Sequence, residues 1–560
     1  MAGSNAAAST IVQGTAGPKT DLWAIVLLCV LGVLVYSRGI TVGGFRWPDE
    51  AVHAMDGVLI HDWVASGPDG WFHPMEFARH QYARLPSLGI GVAYPPGFAV
   101  AEAAAFSVFG ISPVTARATV IPFALVTLVA TYLLLRRATA PEGAFLGAAT
   151  LLCMPLVVLW TREAMLEMPT MAMLGLATYF FLRYLDAPSV GRLLAFLAPA
   201  IAAPFFKQPA TFLLPVFFLW GIVVRRKVNI PWKHFALAVG VAALTVGVYL
   251  GWVFASGSFA ARSVMESRPF LIWFSWDNLR DAVTALIRGA SWAIMAFAFL
   301  GMILAVRRGS RVWLLASFWL VSFIGMWVFL FRPHVIEDRY VFWGMLPLSL
   351  FAGLAFDRLI GVIPSVRVRT VPVLCLALAG AASGLLEPVP SGPDYMPVVA
   401  AHADKIKGHI VMFSGQRDAD FTFAVRQVIG RDRVLVLRSS KILYYGANAP
   451  HSGGFQSLVS SVRDVGSVIE HYAPNALFVE RGDILGGYQP ERLLRQYLDE
   501  TEAYAFIGSS LRYWPCDQSR YTPVDVYART LPPNRTAEFV DLPIPMAGTH
   551  MRVDLKSLGF

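Results

Sequence analysis

Two carboxylates stand side by side in the stretch Phe45-Arg-Trp-Pro-Asp-Glu-Ala-Val-His53, as Asp49 and Glu50, directly after the first long apolar run ends. Adjacent acids of this kind can take a proton from an attacking group or help hold a cation. A Pro-Asp-Glu cluster can equally do no more than start a helix, where negative charge is favoured. His53 follows Asp49 by one helical turn, and His334 precedes Glu337 by three residues. His/carboxylate spacings of this kind can bind a divalent ion, although scattered histidines more often only hydrogen-bond or lie at an interface. No obligatory metal is expected; a divalent cation stays open as the one cofactor.

The surrounding chain is built for a lipid environment. Its 560 residues have a mean hydropathy of +0.55 and only 15% charged side chains. That is too long for one soluble domain and too apolar for an ordinary globular one, and it reads as a polytopic α-helical membrane protein. The net charge of +9 does not point to nucleic acid, because Lys and Arg sit in short clusters between apolar runs. Residues 1–21, rich in Ala, Ser, Gly and Thr, read as a disordered cytoplasmic terminus. Leu22–Tyr36 lacks an A-x-A cleavage signal and reads as a retained first span. Cys29, Cys153 and Cys375 fall in apolar runs and leave Cys516 alone in the polar tail, so no disulfide within that tail is expected.

Apolar runs at 22–38, 115–135, 143–160, 168–185, 193–206, 208–224, 234–254, 283–305, 312–331, 340–360 and 371–386 predict about eleven transmembrane helices in a unit spanning 22–390. Every second connection is basic: Arg136-Arg137, Arg192, Arg225-Arg226-Lys227, Arg307-Arg308 with Arg311, and Arg367 with Arg369. Placing these in the cytoplasm puts Asp49, Glu50 and the polar tail outside. Two assignments keep that parity. Tyr94–Gly110, opened by Pro95-Pro96, is read as a helix lying at the outer interface, and 193–224 as two short helices meeting at Lys207. The first outer loop, 40–114, is dense in aromatics (Trp47, Trp63, Trp71, Phe72, Phe77, Tyr82) and predicts short amphipathic helices. The second, 255–282, carries Arg262, Glu266, Arg268 and Trp276 and is a candidate cover for a bound ligand.

Cations in outer loops run against the charge rule and call for a reason. Arg162 stands beside Glu163 and Glu167; Lys207 marks an outer turn; Arg332 and Arg339 flank His334, Glu337 and Asp338; Arg117 opens the second span. Each alone could merely anchor a helix end among headgroups. As a set they share a side with Asp49 and Glu50. Pro169 suits a first helical turn, which places Glu167 at a helix mouth; Glu163, four residues earlier, would share its face if that turn is helical.

Taken in order, Asp49-Glu50, Tyr94-Pro-Pro-Gly97, the Arg162-Glu-x-x-x-Glu-Met-Pro169 stretch, Phe206-Lys207 and Glu337-Asp-Arg-Tyr340 resemble one family. It is the membrane glycosyltransferases of the GT-C fold, in the branch of protein O-mannosyltransferases and lipid A aminoarabinose transferases, and the likeness covers about residues 20–386. The resemblance implies a polyprenyl-phosphate-linked sugar donor used on the extracytoplasmic face, with Asp49 matching the catalytic carboxylate of the first outer loop and Glu167 the second acidic motif. It leaves the sugar open, and the acceptor (glycan, protein or lipid) with it.

Such a transfer needs a carboxylate to accept the acceptor's proton and cations to stabilise the leaving phosphate, which requires no acid of its own. This assigns Asp49 as base and Glu50 to positioning the acceptor or a metal, with a single displacement inverting the anomeric centre. Lys207, Arg339 and Arg117 are assigned to the phosphate. Tyr340 and Tyr94 could donate hydrogen bonds to phosphate or sugar, and Arg162, Glu163, His53 and Glu337 complete the substrate-binding set. A flippase for the same lipid is the alternative, but transporters bury ionisable groups near the midplane, whereas these crowd one surface. A scaffold without chemistry would leave the acidic loops unexplained.

From about Ser391 the pattern becomes that of an extracytoplasmic soluble domain, 391–560. Strands are expected at His409–Ser414, Arg433–Leu437 and Ala476–Glu480, with helices near 418–430, 458–472 and 490–502: a small α/β unit with a partly parallel sheet. Gly415 opens no phosphate loop, and the tail shows no catalytic constellation.

Overall fold

The computed structural model describes residues 18–90, 94–255, 273–308, 310–330, 337–431, 434–445, 455–481, 488–510, 523–544 and 549–560. Arg262, Glu266, Arg268, Arg332, His334 and Cys516, singled out above, lie outside them.

The apolar runs fold as helices. The first crossing is α1, Pro18–Ser37. Three helices of the following loop are α2, Pro48–Ala65, α3, Pro68–Phe72, and α4, Pro74–Arg84. Then come α5, Gly97–Phe109, and the crossing formed by α6, Pro113–Ala118, with α7, Val120–Arg136. The third crossing is bent. Helix α8, Pro141–Ala149, ends in a short 3-10 turn, and α9, Pro155–Thr161, restarts 63° away where Pro155 removes a backbone donor. The series continues with α10, Glu167–Asp186, α11, Val190–Phe206, α12, Leu213–Val228, and α13, Trp232–Ala255. Lys207 sits at the turn between α11 and the 3-10 segment Gln208–Phe212, as its place between two short apolar runs predicts.

The expected span at 283–305 needs correction. Helix α14, Trp276–Ala290, turns by 110° into α15, Trp292–Arg308, at Ser291, whose φ is +73°. Asp277, Arg280, Asp281 and Arg288 give α14 a charged side, while Asn278, Ala282, Ala285 and Leu286 are buried. Such an amphipathic helix belongs on a surface, so the crossing is α15 alone. The bundle closes with α16, Arg311–Leu330, the 3-10 segment Asp338–Gly344 leading into α17, Met345–Gly361, and α18, Val366–Leu386. Among the described residues five helices are long and apolar enough to cross a membrane unaided, or seven if each bent pair is one span; α11 and the stretches Gln208–Ile222 and Trp232–Val248 are apolar but shorter.

The tail begins with α19, Met396–Ala401, and α20, Ala403–Ile406. It then builds a short pair of strands, β3, Tyr444–Tyr445, with β4, Gln456–Ser457, and a five-stranded sheet of β1, Ile410–Ser414, β2, Leu435–Arg438, β5, Ala476–Glu480, β6, Tyr504–Ser510, and β7, Val524–Arg529, in the order β2-β1-β5-β7-β6. The three strands read from sequence are its parallel part: β1 lies between β2 and β5, with Met412 opposite both Leu437 and Leu477. Antiparallel β7 and β6 extend it past β5. Helix α21, Asp418–Ile429, follows β1.

One apolar core is common to the first loop and this sheet. Phe45, Ala51, Met55 and Val58 pack in a single cluster with Phe413, Phe421, Phe423 and Phe478. Charge seals the same seam: Arg426 of α21 holds the buried Asp62 of α2 through two bonds of 2.9 and 2.6 Å. Arg417 reaches the carbonyl of Phe45 at 2.7 Å and that of Arg46 at 3.3 Å. The loop before α2 lies so close to the tail that a Cβ at Gly44 would run into the Pro393 carbonyl. Helix α2 is thereby fixed at its far end by the tail and at its near end by the membrane bundle.

Candidate active site

Pro48 fits the first turn of α2, where its missing N–H costs nothing, and Glu50 folds back to accept the Trp47 amide at 3.0 Å. That cap turns the neighbouring acids to opposite sides. Glu50 faces inward and is fully buried. Its carboxylate accepts from the amides of Arg46 (2.7 Å), Trp47 (3.0 Å) and Ala164 (3.0 Å) and from Arg117 Nε (3.3 Å). Arg117, also fully buried, spends its other donors on the carbonyls of Ile40, Val42 and Gly44. Glu163 pairs with Arg46 at 2.6 Å. Arg162 donates to the carbonyls of Val35, Gly384 and Glu387. Glu50, Arg117, Arg162 and Glu163, expected among the substrate contacts, are thus bound to protein. Sequence reasoning gave Arg46 no role, although it lies only three residues before Asp49.

Asp49 faces the other way, with its side chain 30% exposed. Its carboxylate pairs with Arg339 at 2.5 Å, and Arg339 Nε also lies 2.6 Å from Glu337. Glu167, the first residue of α10, pairs with Lys207 at the end of α11. Glu163 and Glu167 therefore part company, since the chain between them is not helical and each has its own cation. Tyr340 binds the two pairs together: the Arg339 guanidinium lies 5.3 Å and the Lys207 ammonium 6.0 Å from its ring centre. Trp327 stacks on the Tyr340 ring at 5.2 Å, and Trp343 donates to the Glu167 carbonyl at 3.1 Å. Loops following α1, α9, α11 and α16 thus deliver Asp49, Glu167, Lys207, Arg339 and Tyr340 to one place.

Charges here act on each other. Burial works against ionised Asp49, yet Arg339, His53 and Lys207 hold its carboxyl below the ordinary value. His53, one turn on, is buried, and its ring centre lies 4.4 Å from that of Tyr94. Burial first, then Lys207 and Arg339, push its pKa down to about 4 against the pull of Asp49 and Glu167. Among the described residues no group hydrogen-bonds the His53 ring, and no cluster of three His, Cys, Asp or Glu is arranged to hold a metal ion.

Two further acids lie deeper, and sequence reasoning missed both. Asp56 continues the Asp49–His53 face of α2 and accepts from the amides of Gly89 (2.7 Å) and Ile90 (3.0 Å) through one oxygen. Glu102 of α5 is fully buried, has no hydrogen-bond partner among the described residues, and packs so tightly on Gly57 that a Cβ there would meet it at 2.6 Å. The spacing 49, 53, 56 was the available signal for the first; an acid inside an apolar helix was the signal for the second. Burial raises the Asp56 pKa to about 7. A folded-state value above the unfolded one means that the native protein loses stability as pH rises through that range, by about 4 kcal/mol at most. Asn at 56 can accept both amides without titrating. Asp56→Asn is therefore expected to remove the part of the fall in melting temperature between about pH 4 and pH 7 that Asp56 causes. A variant whose melting curve tracks the wild type across that range refutes the assignment.

A bundle of apolar helices whose loops gather acids and cations at one end, under a small mixed sheet, is the architecture of the GT-C membrane glycosyltransferases, and this chain has that fold. Residues 93–252 match the family model described as dolichyl-phosphate-mannose-protein mannosyltransferase. That segment contains Tyr94, Arg117, Glu167 and Lys207, while Asp49 and Arg339 lie outside it. The crystal structure of ArnT from Cupriavidus metallidurans bound to undecaprenyl phosphate is similar over 90% of this chain and 98% of that one, with TM-score 0.56 and 15% identity. The oligosaccharyltransferase of Archaeoglobus fulgidus in the apo form is similar over 89% and 75%, with TM-score 0.51 and 12% identity. No curated protein matches the chain by sequence.

Proposed function

We propose that this integral membrane protein is a glycosyltransferase that moves a sugar from a polyprenyl-phosphate-linked donor to an acceptor on the extracytoplasmic face. The observation that carries the reading is the meeting of the Asp49–Arg339 and Lys207–Glu167 pairs around Tyr340. A partly exposed, ionised carboxylate next to two cations is what the transfer requires. Asp49 takes the proton of the attacking hydroxyl or amine, and Lys207 with Arg339 stabilises the phosphate as charge builds on it. The anomeric carbon is attacked opposite the phosphate in one displacement, so its configuration inverts. Tyr340 and Tyr94 donate to phosphate or sugar, and Glu337 and Glu167 orient the two cations. Glu50, Arg117, Arg162 and Glu163 form the frame that holds Asp49 in place. The extracytoplasmic assignment rests on the basic connections at the opposite helix ends.

The test is purified protein in liposomes with labelled polyprenyl-phosphate hexoses and pentoses, assayed with and without envelope extract as acceptor source. Cleavage of the sugar–phosphate bond, with free polyprenyl phosphate appearing, is expected for one donor. Movement of the intact lipid between leaflets without cleavage makes the protein a flippase instead.

A further inference from the structure

We propose that His53 carries the proton taken up by Asp49 to the departing phosphate, so that base and leaving group share one proton. The inference rests on the transferase reading above. It starts from a group that reading leaves with little to do: a buried imidazole, one turn from Asp49 on the same helix face, with neither ring nitrogen hydrogen-bonded among the described residues. An imidazole is suited to accept at one nitrogen and donate at the other. The ring packs edge-on against Tyr94 at 4.4 Å and against Phe98 at 6.5 Å, which fixes its plane. The charged groups close enough to act on it are Asp49, Glu167, Lys207 and Arg339, that is, the base and the residues proposed to cradle the phosphate.

The step balances. The acceptor oxygen bonds to the anomeric carbon and gives its proton to an Asp49 oxygen. The bond from the anomeric carbon to the phosphate oxygen breaks, and its electron pair stays on the phosphate, which passes from one negative charge to two. Asp49 hands its proton to one nitrogen of His53, and the other nitrogen releases a proton to the phosphate. The lipid phosphate leaves with one negative charge, Asp49 is again ionised, and His53 is left neutral in its other tautomer, which proton exchange with water resets before the next turnover.

Proton affinities rise along this route. Burial raises the Asp49 carboxyl, but Arg339 and its neighbours hold it below the ordinary 3.8. His53 stands at about 4, chiefly because it is buried. A phosphate monoester takes its second proton near pH ~6. The order of these values favours movement of the proton from Asp49 toward the phosphate. A lipid phosphate with one charge also leaves Lys207 and Arg339 more readily than one with two.

The test uses the full-length protein and the labelled donor identified above, with wild type, His53→Asn and His53→Ala. Expected for His53→Asn is a ten- to hundredfold loss in kcat, with KM for the donor within twofold of wild type and an unchanged melting temperature. His53→Ala is expected to regain at least tenfold in kcat when imidazole is added, which a purely packing role would not produce. His53→Asn turning over within twofold of wild type overturns the inference, as does His53→Ala that imidazole leaves inactive. The transferase reading survives both results. A wild type that cleaves no polyprenyl-phosphate sugar overturns that reading and this inference together.

Discussion

Asp49→Asn is expected to lower kcat by about 10²- to 10⁴-fold, the range seen when a positioned base is removed. KM for the donor is expected to stay the same or fall. Asparagine keeps the size of the side chain but cannot hold a proton, and it releases Arg339 from a 2.5 Å ion pair to the phosphate. The substitution touches little of the fold, since Asp49 is partly exposed and Glu50, not Asp49, caps α2. Steady-state kinetics on purified protein with an unchanged melting temperature checks both halves. A variant with full kcat removes Asp49 from the chemistry, and one with raised KM alone makes it a binding residue.

Much of this arrangement was legible because membrane insertion writes itself into composition. Apolar runs marked the helices, and basic loops marked the ends away from the acids. Lys207 betrayed a turn because a cation cannot sit in the middle of a span at small cost. In the tail, β1, β2 and β5 are apolar and buried on both faces, so they read as strands; β6 carries exposed Ala505, Phe506 and Ile507 in a row and gave no alternation to read. What stayed hidden was direction. The sequence places Asp49 and Glu50 together, but only the first turn of α2 sends one to Arg339 and the other to Arg117. Equally hidden was the pairing: Arg339, assigned from sequence to the phosphate, holds Asp49, 290 residues away in the chain. The bond between Asp62 and Arg426, 364 residues apart, is of the same kind, and it makes the tail part of the scaffold of α2. A tail read as a separate soluble domain gave no hint of that.

The adjacent acid is expected to fail in a different way. Glu50→Gln should reduce folding stability, by less than the about 3–5 kcal/mol that leaving one partner of a buried ion pair wholly uncompensated costs. Burial disfavours the charge of Glu50, yet Arg117 and the Ala164 amide hold its carboxyl below the ordinary value. A glutamine oxygen can still accept the amides of Arg46 and Trp47. Its NH2 group then faces the Ala164 N–H and Arg117 Nε, donor against donor. Glu163 sets the size of the loss. Burial and the charge of Glu50 raise its carboxyl well above the ordinary range, and it lies 4.0 Å from Arg117 Nε. With Glu50 neutral, Glu163 is free to ionise and to balance Arg46 and Arg117 in its place. Glu163→Gln alone is accordingly expected to cost less than Glu50→Gln, and the double variant more than the sum of the two, because both arginines then stay buried without an anion. Melting temperatures of the three variants in one detergent measure this. Strict additivity shows that the two glutamates do not substitute for each other, and a fully stable but inactive Glu50→Gln moves Glu50 from the frame to the chemistry.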